Sequence, residues 1–192
     1  MITFYYLMRR VEARSIVEIK ANQPYDYMAI KPYFHPSCKK KLPLDISFSV
    51  VKGKRWADII VLHEAVTHKF FSQRLIDILG QFIDITNKCY PVRIEGSPYN
   101  YYCIYNLEEF SFCTDATSMK YRDYNHFVLS NCNVDLFTIR DSNLKILSHK
   151  IKQIFEKEKL TNVEFSEIYG ITKEECDALG FLVQPQKESC TE

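Results

Sequence analysis

Residues 45–51 alternate with a period of two, Ile46, Phe48 and Val50 against Ser47 and Ser49, which is the pattern of a half-buried strand. Residues 58–62 read differently: Ile59, Ile60, Val61 and Leu62 form an unbroken apolar run, as in a strand covered on both faces. Phe71, Leu75, Ile78 and Leu79 then fall at i, i+4, i+7 and i+8, one stripe of a helix predicted over about 68–80, with Thr67 as its cap and Gly80 to end it. Leu147, Ile151, Ile154 and Phe155 repeat that stripe over about 143–160 while Lys150, Lys152, Glu156 and Lys157 take the other faces. Asn162 is placed to terminate this second helix, because Asn tolerates the left-handed conformation. Thr172 and Glu175 have capping-box spacing, and with Gly180 they delimit a short helix at 173–179. Short β-branched and aromatic runs at 2–7, 82–86, 90–94, 101–105, 110–112, 126–130, 136–139 and 163–165 predict strands. The expectation is one mixed α+β domain over 1–183, richer in strand than in helix, with a flexible polar tail at 184–192.

The length of 192 residues suits one domain, and 46% hydrophobic with 26% charged residues excludes a disordered chain. A net charge of +1 removes the basic excess that nucleic-acid binders show. The charge is nevertheless polarised along the chain. Residues 38–55 carry a local +5, residues 95–118 a local −4, and the stretch from Glu156 onward a local −5. No apolar run approaches the roughly 20 residues of a membrane-spanning helix, and the first residues lack a signal-peptide pattern. The expected setting is the cytoplasm, with neither membrane nor nucleic acid as partner. Seven cysteines, with no CxxC pair, predict reduced thiols rather than a disulfide framework or a zinc ribbon.

Familiar catalytic patterns fail on spacing. His63 and His68 flank Glu64 but lie at i and i+5. On a helix their rings would sit roughly 140° apart, so they could not share one metal in the manner of a zinc protease. Glu108 and Glu109 are adjacent and point to opposite faces of a strand. With five glycines and neither GxxxxGK[ST] nor GxGxxG, no phosphate loop is available. The reading is therefore no catalytic residue, no cofactor and no metal. One enzyme or ligand-site alternative stays open, assembled from His126, Cys132, His63 and Asp58. An oligomeric scaffold with exposed strand edges is another.

The chain holds 27 aromatic residues, 13 of them Tyr, and they concentrate at 99–112. Tyr99, Tyr101, Tyr102 and Tyr105 stand beside Glu108, Glu109 and Asp115. Tyr gives contact area with few rotors and a polar tip, and acids around it would attract a basic partner. These seven residues are the candidate partner surface. The alternative is that alternate aromatics fill a sheet core.

A further signal lies in the order of short motifs. Tyr5-Tyr6-Leu7 comes first, followed by Trp56-Ala57-Asp58-Ile59 leading into a strand, and then by the helical run from Phe70 to Leu79. A Tyr-rich region precedes Leu160-Thr161-Asn162-Val163-Glu164-Phe165. This arrangement resembles a bacterial family of small cytoplasmic proteins grouped with the immunity proteins of polymorphic toxin systems. Asn162 stands where that family often has Gly in Leu-Thr-Gly-x-x-Phe. The resemblance implies a non-catalytic protein that caps the toxic C-terminal domain of a cognate effector. It implies structural roles for Trp56, Asp58, Leu75, Leu79 and Phe165.

Overall fold

The computed structural model describes residues 1–8, 15–115, 126–130 and 133–183. Its fold is mixed α+β, dominated by strands. Strand β1 (Ile2–Met8) is followed by β2 (Glu18–Ala21), a single helical turn α1 (Tyr27–Ile30), a 3-10 turn (Lys31–Phe34), β3 (Ser47–Lys52), β4 (Ile59–Leu62) and β5 (Ala65–Ser72). Helix α2 (Gln73–Gly80) leads to β6 (Cys89–Ile94), β7 (Tyr101–Ile104), β8 (Glu109–Phe110), β9 (Cys113–Asp115), β10 (His126–Val128), β11 (Leu136–Ile139) and β12 (Ile146–Ser148). Helix α3 (His149–Lys157), β13 (Glu164–Ile171), α4 (Lys173–Ala178) and β14 (Phe181–Val183) complete the described order.

Six strands close a small barrel in the order β2-β3-β6-β7-β5-β4. Its ring is antiparallel except for β3 with β6 and β2 with β4, which run parallel. The apolar run of β4 explains its place in the wall. Ile60 and Leu62 point into the barrel core with Phe48, Phe70 and Tyr101, while Ile59 faces outward against Phe71 and Leu75. Both faces are covered, so every residue of the strand is buried.

The second sheet has the order β10-β13-β1-β12-β11-β8. Strand β1 lies near its middle, antiparallel to both β13 and β12. Alternation divides its side chains. Phe4 and Tyr6 join Phe110, Phe127 and Phe137 on one face, whereas Leu7 joins α2, α3 and the outer barrel wall on the other. That second cluster, with Ile59, Leu75, Leu79, Leu147, Ile151 and Phe155, welds barrel to sheet. No helix among the described residues is long and apolar enough to cross a membrane.

Several expectations are displaced. Residues 68–72 extend β5 instead of opening the helix, so Ser72, not Thr67, caps α2 by accepting from the Leu75 N–H at 3.2 Å. Phe70 and Phe71 fill opposite sides of the barrel wall, and this two-sided burial favours a strand over the helical stripe. The second helix is likewise shorter: Ile146–Ser148 pairs with β1 and β11, and Ser148 caps α3. Its end is a Schellman turn in which Lys159 takes the left-handed position at φ 50°. The Lys159 N–H bonds the Glu156 carbonyl and the Leu160 N–H that of Phe155. Asn162 is also left-handed, at φ 57°, but in the following turn into β13. Residues 82–86 form no strand. The α4 capping box is present in both directions between Thr172 and Glu175. The tail at 184–192 lies outside the described residues.

The cysteine expectation needs correction. Cys113 in β9 and Cys176 in α4 form a disulfide across 63 residues of chain, with Cα atoms 6.6 Å apart. Both are buried with Ile171, and β9 pairs antiparallel with β14, Cys113 opposite Val183. Spacing along the sequence carries no trace of this pairing, because the two thiols meet only through the sheet's topology. Cys38, Cys89 and Cys103 are free.

Candidate functional site

The two halves meet at the start of β4. Asp58 is buried there, and its carboxylate accepts from Ser72 Oγ at 2.7 Å, from the Thr161 N–H at 2.7 Å and from Thr161 Oγ1 at 2.8 Å. The Asp58 N–H donates back to Thr161 Oγ1 at 2.9 Å. Arg74 adds its guanidinium 3.5 Å from the same carboxylate and also donates to the Glu158 carbonyl. One residue further along each strand of chain, Asn162 Nδ2 donates to the Ile59 carbonyl at 2.6 Å. On the barrel side the Tyr101 hydroxyl donates to the Ala57 carbonyl at 2.7 Å. Asp58 and Ile59 are thus locked to Thr161 and Asn162, 103 positions away. A charged acceptor with three donors is among the stronger hydrogen-bonded arrangements a fold can bury.

Beside this lock lies an open cleft of about 1190 Å³. Its lining comes from Arg55 and Trp56, from Lys152, Phe155 and Glu156 of α3, and from the stretch Lys159 to Phe165. Trp56 leans on Tyr101 with ring centroids 5.7 Å apart, and Phe165 packs against Phe155. Lys152 is neutralised by Glu156 at 2.9 Å and lies over the Tyr5 ring. Arg55 and Lys159 are exposed, and their cationic groups form no ion pair among the described residues. Asn162 is only 5% exposed, yet its Oδ1 has no hydrogen-bond partner. A buried amide oxygen without a donor costs on the order of 1–3 kcal/mol, so this one marks a place where a donor belongs.

The seven candidate partner residues are distributed over three parts of the fold. Tyr99 is 60% exposed, ahead of β7. Tyr101 and Tyr105 are core residues, 1% and 5% exposed. Tyr105 meets Tyr90 edge-on, and Tyr102 is half-buried with its hydroxyl on Gln73. Glu108 is exposed ahead of β8, Glu109 lies in that edge strand, and Asp115 ends β9 opposite Phe181.

The alternative ligand set is also dispersed. Asp58 and His63 stand at opposite ends of β4, about 16 Å apart at roughly 3.3 Å per residue. His63 bonds Glu18 at 2.8 Å, and His126 lies on β10 beside Tyr169. Cys132 lies outside the described residues. His63 and Glu64 form the turn between β4 and β5, and His68 faces Phe34 and Tyr27. Burial pushes the His68 imidazole down to about 4, with Lys145, Lys69, Lys31 and His35 adding repulsion. Among the described residues no group of three or more His, Cys, Asp or Glu is placed to hold a metal.

One buried cation had no sequence signal. Lys145 is 3% exposed, lies 5.7 Å above the Phe71 ring, and has no carboxylate partner among the described residues. Burial lowers its ionisation, and the Cys103 thiol only partly opposes this.

No protein-family model matches the chain, and no curated protein matches it.

Proposed function

We propose that the protein is a non-catalytic binding protein that neutralises a cognate toxin domain in the cytoplasm of the producing cell. The observation that carries this reading is the convergence of the stretches behind the family resemblance. Trp56–Ile59 and Leu160–Phe165 are one hydrogen-bonded lock, with Asp58 held by Thr161 and Ile59 by Asn162. Residues with that task are framework, which agrees with the structural role the resemblance assigns them. The same framework holds open a cleft of about 1190 Å³ whose wall carries Trp56 and Arg55, residue types enriched at protein interfaces.

The test is binding and rescue. The chain is expected to bind the C-terminal domain of the large secreted protein encoded beside its gene, one to one, and to restore growth when the two are co-expressed. A folded pair that neither binds nor rescues would refute the reading.

A further inference from the structure

We propose that the cleft between Trp56 and the end of α3 is the docking site, and that its occupant is an acidic segment of the partner protein in extended conformation. The proposal rests on the binding-protein reading above and supplies the partner's chemistry.

Three observations support it. Asn162 lines the cleft, and its Oδ1 is buried without a donor while its Nδ2 is spent on the Ile59 carbonyl. The group that completes it must therefore bring an N–H or O–H, and an extended peptide offers a backbone N–H at every second residue on one side. The balance of charge at the cleft is positive: Lys152 is cancelled by Glu156, and the exposed Arg55 and Lys159 outnumber the exposed Glu164. Lys54, the chain neighbour of Arg55, is a further exposed cation, in a second hollow with the exposed side chains of Val50 and Val51. Finally, the half-buried Trp56, next to Arg55 in the chain, supplies a flat apolar surface in the cleft for a side chain of the occupant.

The same lining argues against a polynucleotide. Glu164 also lines the cleft and is exposed, and a phosphodiester chain with a charge at every unit would meet its carboxylate. A peptide can place acids beside Arg55 and Lys159 and a neutral residue beside Glu164. The charge preference is opposite to that of a partner for the Tyr99–Asp115 segment.

Trp56 is the only tryptophan, so its emission reports the cleft directly. The experiment titrates the full chain with a capped twelve-residue peptide alternating Glu and Ala. A Lys-Ala peptide and dodecathymidylate serve as comparisons. A saturable change in emission with the acidic peptide alone is expected, weakening with salt. The exposed pair Arg55→Glu and Lys159→Glu should raise its apparent Kd roughly tenfold or more with the circular dichroism unchanged. No response to the acidic peptide, an equal response in the double variant, or tighter binding of dodecathymidylate would each overturn the proposal.

The toxin-domain assay separates this from the broader reading. A folded double variant that still binds and rescues would refute the cleft as docking site and leave neutralisation standing. Failure of the unaltered chain to bind or rescue would refute neutralisation, and the Trp56 titration would still judge the cleft.

Discussion

The Cys113–Cys176 bridge gives the sharpest stability prediction. Replacing both residues with Ala opens a loop of 63 residues. The loop-closure relation assigns about 4 kcal/mol to a crosslink of that span, through the entropy it removes from the unfolded chain. For a domain of 192 residues this lowers the thermal midpoint by about 10 °C. Urea titration of the double variant, of the unaltered chain and of the unaltered chain under a phosphine reductant should give two matching weak curves and one strong one. The agreement of variant and reduced chain matters, because reduction keeps the sulfur atoms and isolates the crosslink from the small loss of packing around Ile171 and Val128. Thiol titration of the unfolded protein should show two fewer reactive groups before reduction than after. A difference below about 1 kcal/mol, or equal thiol counts, would refute the argument. A reducing compartment would open the bridge and leave the protein in its weaker state.

Three further outcomes are expected. Asp58→Ala strands the donors of Ser72 and Thr161, so chemical denaturation should show a loss of about 3–5 kcal/mol; a loss below 1 kcal/mol would mean the lock is not structural. Lys145→Met replaces a buried amine whose ionisation burial disfavours, and which has no carboxylate partner among the described residues, with an apolar side chain, so chemical denaturation should show a more stable folded state. His68 is held to about 4 from an ordinary value of 6.5. The unfolded chain binds its proton first as pH falls, so this contribution is complete above pH 6.5 and is lost progressively down to about pH 4. The loss reaches about 3 kcal/mol, and His68→Gln should flatten that part of the stability–pH curve.

What was legible in the sequence was whatever a local period can encode. The alternation around Phe48 and the run at Ile59–Leu62 each specify an element without help from the rest of the chain, as does the Thr172–Glu175 box. The helix at 68–80 misled because Phe71 and Leu75 lie at helical spacing while the chain changes from strand to helix between them, at Ser72. Barrel closure was invisible because parallel pairs such as β2 with β4 join segments about 40 residues apart. The site was half legible. Trp56, Asp58 and Thr161 stood in the motifs, but nothing in their spacing says that Asp58 accepts from Thr161. The unpaired Asn162 oxygen exists only once Ile59 has claimed the amide nitrogen.

The central position of β1 shapes how the protein is made. Its partners lie more than 140 positions further along, Phe4 opposite both Ile168 and Ser148, whereas every barrel strand falls between residues 18 and 104. At roughly 5–20 residues per second on the ribosome, on the order of ten to thirty seconds separate the synthesis of β1 from that of β13. During that interval the barrel is free to close while Phe4, Tyr5 and Leu7 wait with both strand edges unpaired. The nascent chain therefore carries an apolar, aggregation-prone segment until β12 and β13 emerge, a natural target for a chaperone at the ribosome.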